Sequence, residues 1–246
     1  MKQSVMFDTL VSRPDFVRNG FETIPAVQSV NACIAALQQI EALPVDAAGS
    51  RFLLQHGWCR SIADTLRLNA QIASIVPCEY VAVQCTYFEK SLDRNWLVPI
   101  HQDLSIPVVE RVEHEALAGW SEKQGQPFVQ PPVSMLEQLV VIRLHLDPCG
   151  AGDGALSVVP GSHALGRMSP KAAVVARTER GSVTCSVPQG GVFAMSPLLL
   201  HASSRATGTS RRRVLHFLFG PPRLPFGLRW NISGVLATTA TDPAPH

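Results

Sequence analysis

The chain has 246 residues, 46% of them hydrophobic and only 16% charged, with a formal net charge of +2. This length fits one enlarged domain as well as two small ones, and the apolar share suffices for a sizeable core. The near-balanced charge excludes the strong field that nucleic acid or an anionic membrane calls for. No run approaches the roughly eighteen apolar residues of a membrane span.

The opening MKQSVMFDTLVSRPD lacks an apolar stretch of the secretory kind, so a cytoplasmic protein is expected. Pro14 to Asn19 can make one helical turn before Gly20, and the following FETIP reads as a short strand. Residues 27–42 place Val27, Val30, Ile34, Leu37 and Ile40 on one helical face. Residues 58–76 repeat the pattern with Ile62, Leu66, Ile72 and Ile75, ended by Pro77. From about residue 80 the period becomes strand-like in YVAVQCTYF, LVVIRLHLD, ALSVVP, SVTCSV, GVFAMS and RVLHFLFG. The 107–138 stretch has no strong period and reads as a long loop or insertion over one end of a barrel, a natural lid. The six cysteines never fall in CxxC spacing and look like small apolar fillers, not a zinc or redox site. The pattern predicts one domain over 1–236, helical in its first third, then mainly β as a sandwich or barrel backed by helices. Residues 237–246 are expected to be a flexible tail.

The sharpest local feature is His101-Gln102-Asp103 after the strand-like WLVP. Residues two apart on a strand point the same way, so an imidazole and a carboxylate would face one ion. HxD also occurs by chance, as two exposed polar residues at a strand end. His201, closing the apolar run MSPLLLH, is the best third ligand, expected on a facing strand. Its rival reading is a strand-end histidine satisfied by backbone. Two His and one carboxylate with open positions is the arrangement of non-haem Fe(II) oxygenases. Downstream lies Ser210-Arg211-Arg212-Arg213. Leu215, Phe217 and Phe219 share a face with Arg213; if that face packs on helices, Arg212 and His216 look into the barrel. Such an Arg would suit a dicarboxylate. Arg211 is expected to be a solvated strand edge.

Taken together, HQD at 101–103, GALSVVPGSH at 154–163, and His201 followed by the Arg cluster resemble the phytanoyl-CoA dioxygenase family. The similarity runs over roughly residues 14–220, including RNGFETIP. It implies a double-stranded β-helix (jelly-roll) core and dependence on Fe(II), 2-oxoglutarate and O2. It also implies iron ligation by His101, Asp103 and His201, which would make these the catalytic residues. An Arg eleven residues after the distal His would hold the far carboxylate of 2-oxoglutarate, which is Arg212. Ser203 would lie near that carboxylate, and Gln102 is a weaker co-substrate candidate. Pro160-Gly161-Ser162-His163 reads as a structural turn. The intact Asp103 favours hydroxylation over halogenation, in which that carboxylate is replaced by a small residue.

The reaction implied is hydroxylation of an unactivated C–H in a small metabolite or natural-product intermediate, with 2-oxoglutarate decarboxylated to succinate. Gln84, Lys90, Trp96, Arg143 and His145 are candidate substrate contacts, with Thr86 and Asn95 close by in sequence; Trp120 and Lys123 sit in the expected lid, where they either close over substrate or, the preferred reading, pack at the surface. They suggest a polar substrate, an anion among the options, acted on by a monomer or homodimer without nucleic-acid or membrane partners. Arg143 either faces an anion or pairs with a carboxylate such as Asp147, the pair being the preferred reading. GAGDG at 150–154 reads as a tight turn, not a phosphate loop. Two other functions compete: a cupin-like metalloprotein acting without 2-oxoglutarate, and a non-catalytic scaffold with an oxygenase fold.

Overall fold

A computed structural model describes residues 14–43 and 50–232. The tail expected over 237–246 and nearly all of the opening segment lie outside the described residues.

The first third is helical, as expected. A short α1 (Pro14–Asn19) ends at Gly20, and β1 (Phe21–Ile24) follows. Gly20 has φ +81°, and a Cβ there would stand 2.4 Å from the His163 ring. Only glycine combines that backbone with that approach. Helix α2 (Val30–Glu41) is capped by Ser29, whose side chain accepts from Ala32 N. Its buried face is Cys33, Ala36, Leu37 and Ile40, while Val30 and Ile34 are 53% and 44% exposed. The expected stripe was rotated because small buried residues carry less signal than exposed branched ones. The predicted helix over 58–76 is two helices, α3 (Gly57–Leu68) and α4 (Ala70–Ala73). Asn69 breaks them: its backbone is extended, and its side chain accepts from Gln71 N and Ile72 N to cap α4.

The remainder is β2 (Val81–Lys90), β3 (Val98–His101), β4 (Ile106–Pro107), β5 (Ala118–Lys123), β6 (Gln126–Gln130), helix α5 (Val133–Leu136), β7 (Val140–His145), β8 (Leu156–Val158), helix α6 (Pro170–Arg180), β9 (Val183–Cys185), β10 (Val192–Met195), β11 (His201–Ser203) and β12 (Arg212–Gly220). A five-stranded sheet runs β1-β10-β7-β12-β2 and a four-stranded sheet runs β3-β11-β8-β9, with neighbouring strands antiparallel in both. These are the two sheets of a jelly roll. The 107–138 stretch is not the expected loop. Strands β4, β6 and β5 form a third antiparallel sheet, followed by α5. Gly119, Gly125 and the Pro residues hid its alternation.

Strand parity divides the core. Leu215, Phe217 and Phe219 of β12, Ile142 and Leu144 of β7, and Cys85 and Tyr87 of β2 pack against α2, α3 and α4. The opposite faces, including Val141, Phe193 and Leu218, look into the barrel with Ile106, Val129 and Trp230. Five cysteines are buried; Cys78 is exposed and so is no filler, and all six thiols are free.

Candidate metal centre and its two cavities

His101 closes β3 and His201 opens β11, and the two are paired directly across the ladder. His201 therefore comes from the adjacent strand of the same sheet, not from a facing one. The two rings lie 4.2 Å apart, centroid to centroid. Asp103 follows two residues after His101, its backbone N–H held by Pro197 O at 2.9 Å. The ligand atoms of His101, Asp103 and His201 all fall within 4.8 Å of one another.

Hydrogen bonds set the ring tautomers. His101 Nδ1 donates to Pro99 O at 2.8 Å and His201 Nδ1 to Leu199 O at 2.9 Å. In that tautomer each ring turns Nε2 toward Asp103, 3.8 Å from Oδ1 for His101 and 3.7 Å from Oδ2 for His201. Burial pushes the His201 ring down to about 4, so it is neutral at pH 7. Burial raises the Asp103 carboxyl, but the attraction of His201, His216, His101 and Arg143 outweighs it and leaves it below its ordinary value. Asp103 Oδ2 is buried and accepts no hydrogen bond. Three acceptors converging without a donor between them fit a cation, and the set is that of a two-histidine, one-carboxylate iron site.

His216 lies beside this group with the opposite tautomer. The cross-strand register pairs His216 of β12 with Arg143 of β7 and Thr86 of β2. Arg143 Nη1 donates to His216 Nδ1 at 2.8 Å. Nδ1 must accept, so the proton of the neutral ring sits on Nε2, which faces Asp103 Oδ2 at 3.8 Å. That proton makes His216 a donor toward the site rather than a fourth ligand. Burial, then Arg143, holds its ring down to about 3. The expected pairing of Arg143 with Asp147 does not occur. Asp147 is taken by Arg213, which donates Nε and Nη2 to its two oxygens at 2.7 Å each.

Two cavities meet at His101 and Asp103. The smaller, about 110 Å³, is lined by Lys90, Trp96, Arg143, Ser203 and Arg212 beside His101, Asp103 and His201. Arg212 is buried, donates to Gly154 O, and leaves its Nε unpartnered. Lys90 Nζ donates to Ser203 Oγ at 2.8 Å and to Ser204 O. Burial, then Arg212, pushes Lys90 down to about 8. Lys90 and Trp96, expected on the substrate side, thus belong with Arg212. The larger cavity, about 310 Å³, is lined by Gln84, Thr86, Phe88, Arg51, Lys123 and Phe128 among others. Gln84, Thr86, Phe88 and Lys90 form one inward row of β2, so a single strand serves both cavities. The third sheet walls the larger cavity with Lys123, Phe128 and Gln130.

Of the other expected contacts only Gln102 lines a cavity, the larger one. Gln102 spends its amide on backbone: Nε2 donates to Gly166 O and Leu198 O, and Oε1 accepts from Met168 N. It is absent from the Arg212 cavity, and its amide is spent before any co-substrate arrives. His145 shares the inward face with Arg143 but lines neither cavity, and its buried Nδ1 has no partner. Asn95 is held by both backbone groups of Ala206. Trp120 packs under Arg111, away from the larger cavity. Arg211 is exposed and is paired with Glu89, not merely solvated. In the PGSH turn, Ser162 Oγ accepts from Leu200 N and His163 Nε2 donates to Val17 O. Arg51 was missed in the sequence because it stands outside any periodic segment. His216 was placed in the barrel by parity, but its tautomer depends on a partner 73 residues away.

A jelly roll whose ladder brings two histidines and an aspartate to one point, beside a buried arginine, defines the class of non-haem iron, 2-oxoglutarate-dependent enzymes. The family model for phytanoyl-CoA dioxygenase (PhyH) matches residues 16–214. The chain belongs to the phytanoyl-CoA dioxygenase family, whose members use Fe(II), 2-oxoglutarate and O2. No curated protein matches it. Among solved structures, AviO1 from Streptomyces viridochromogenes Tue57 superposes with a TM-score of 0.60 at 21% identity, covering 90% of this chain and 99% of its own. HygX from Streptomyces hygroscopicus, crystallised with nickel, 2-oxoglutarate and hygromycin B, gives a TM-score of 0.60 at 19% identity, covering 86% and 88%. SnoN, a non-heme alpha ketoglutarate dependent epimerase from nogalamycin biosynthesis, gives 0.62 at 14%, covering 94% and 90%. At such identities the likeness is one of fold. Among the described residues no helix is long and apolar enough to cross a membrane.

Proposed function

We propose that the chain hydroxylates an unactivated C–H of a small polar metabolite or natural-product intermediate, converting 2-oxoglutarate to succinate and CO2. The observation that carries this reading is the convergence of His101, Asp103 and His201 at the mouth of a small cationic cavity containing Arg212. His101, Asp103 and His201 would hold Fe(II), which with 2-oxoglutarate and O2 supplies oxidative decarboxylation and C–H oxidation. Arg212, Ser203 and Lys90 hold the far carboxylate of 2-oxoglutarate and set its register, a positioning contribution. Unpartnered Arg212 Nε fits an incoming carboxylate, because a buried guanidinium group without an acceptor is costly. The larger cavity receives the substrate, with Gln84 and Thr86 on its floor and the third sheet excluding water. Gln84 Nε2 donates to Thr86 Oγ1 at 3.0 Å, so both polar groups are held in place before substrate arrives.

Anaerobic titration of the Fe(II)-loaded protein with 2-oxoglutarate tests the reading, followed by succinate and product analysis over a substrate panel. Asp103→Ala should abolish metal binding and turnover. Arg212→Ala should keep the metal and weaken 2-oxoglutarate by 10-fold or more. Undiminished 2-oxoglutarate binding in Arg212→Ala would overturn the assignment of the small cavity.

A further inference from the structure

Four cationic side chains carry the charge of the two cavities: Lys90, Arg143 and Arg212 in the smaller and Lys123 in the larger. Asp103 is the one carboxylate lining either cavity. Neighbouring acids are committed elsewhere: Glu89 to Arg211 and Arg94, and Asp147 to Arg213. Lys123 makes no ion pair among the described residues and lies 4.6 Å over the Phe128 ring. Fe(II) and the 2-oxoglutarate dianion cancel one another, so loading the site as proposed above leaves the cationic excess intact. Like charges facing a low-dielectric cavity repel, and an anion of matching position relieves the repulsion.

From this we infer that the prime substrate carries an anionic oxygen group, a carboxylate or phosphate, received by Lys123 in the larger cavity. The inference rests on the proposed loading with Fe(II) and 2-oxoglutarate. Burial, then Arg51, pulls the Lys123 ammonium below its ordinary value. Apolar Phe88, Leu104, Ile106 and Phe128 share the cavity, so the substrate body between anion and metal is largely hydrocarbon or ring. A free amine would meet Lys123 there, with Asp103 already given to the metal.

The test uses full-length protein loaded with Ni(II) and saturating 2-oxoglutarate, after 2-oxoglutarate binding itself has been confirmed by calorimetry. Failure at that first step sinks the proposed function; failure afterwards sinks only this inference. The probes share one skeleton: 4-phenylbutanoate, 4-phenylbutylphosphate, 4-phenylbutanol and 4-phenylbutylamine. At least one acid should bind ten-fold or more tighter than the alcohol and the amine, and the better of the two identifies the anion. Lys123→Gln should erase that preference while Lys123→Arg retains it, with 2-oxoglutarate affinity unchanged in both. Equal binding of alcohol and acids, preference for the amine, or no acid binding at 10 mM would overturn the inference. So would a preference that survives Lys123→Gln, or one lost together with 2-oxoglutarate affinity.

Discussion

His216 and Lys90, beside the candidate iron ligands, are expected to act on the site through protons rather than through metal bonds. Arg143 holds His216 in the tautomer that directs Nε2–H at Asp103 Oδ2. Partners of metal ligands are worth about 10–100-fold in metal affinity. His216→Phe is accordingly expected to weaken metal binding by about 10-fold, and His216→Gln, which retains an N–H donor, to recover part of it; calorimetry with Co(II) reads both. Equal affinities in all three proteins would show that the donor contributes nothing. Lys90 gives a pH signature. Burial, then Arg212, sets its free-state value at about 8, and a bound carboxylate raises it. Affinity for 2-oxoglutarate is then full below pH 8 and falls as pH rises through it, by up to about ten-fold per pH unit, until the bound-state value is passed. Titrations between about pH 6.5 and 9.5 should show this fall in the wild type and a flat profile in Lys90→Met.

At the scale of elements, ladder register performs the assembly. His101 meets His201 across β3 and β11, and Thr86, His216 and Arg143 form one row across β2, β12 and β7. Parity along β12 was readable in advance, because Leu215, Phe217 and Phe219 alternate with shorter or polar residues and Arg212 falls on the other face. The register between distant strands was not readable, since no local pattern says that His216 stands opposite Arg143. Helix boundaries failed for a similar reason: Asn69 breaks 58–76 through a side-chain cap that hydrophobic spacing does not reveal. Asn69→Ala is expected to cost about 1 kcal/mol, read as a lower denaturant midpoint with unchanged 2-oxoglutarate affinity. Gly154 ties a turn to chemistry. Its φ is +67°, and a Cβ would lie 2.7 Å from Ser204 O and 3.2 Å from Lys90 Nζ. Gly154→Ala should therefore displace Lys90 and weaken 2-oxoglutarate several-fold, seen in the same titration. Unaltered affinity would show that Lys90 tolerates the shift.

For the molecule as a whole, folding gathers the cavity cations before anything neutralises them. Lys90, Arg143 and Arg212 converge on the smaller cavity, and burial pulls each below its ordinary value, Arg143 to about 10. A ligand that binds only the folded chain, its far carboxylate set against Arg212 and Lys90, stabilises it, so loading should appear as stability. A ligand at about 100 times its Kd adds about 2.7 kcal/mol, and a domain of this size gains about 2–4 °C in Tm per kcal/mol. Adding 2-oxoglutarate to the metal-loaded protein should raise Tm by about 5–10 °C beyond the metal's own effect. Three proteins separate the contributions in thermal scans. Wild type should respond to metal and again to 2-oxoglutarate; Arg212→Ala should keep the first response and lose most of the second. Asp103→Ala should lose the first, and with it the metal-dependent part of the second. A full 2-oxoglutarate shift in Arg212→Ala would mean that the dianion is held elsewhere, and the cluster of buried cations would then need a different partner.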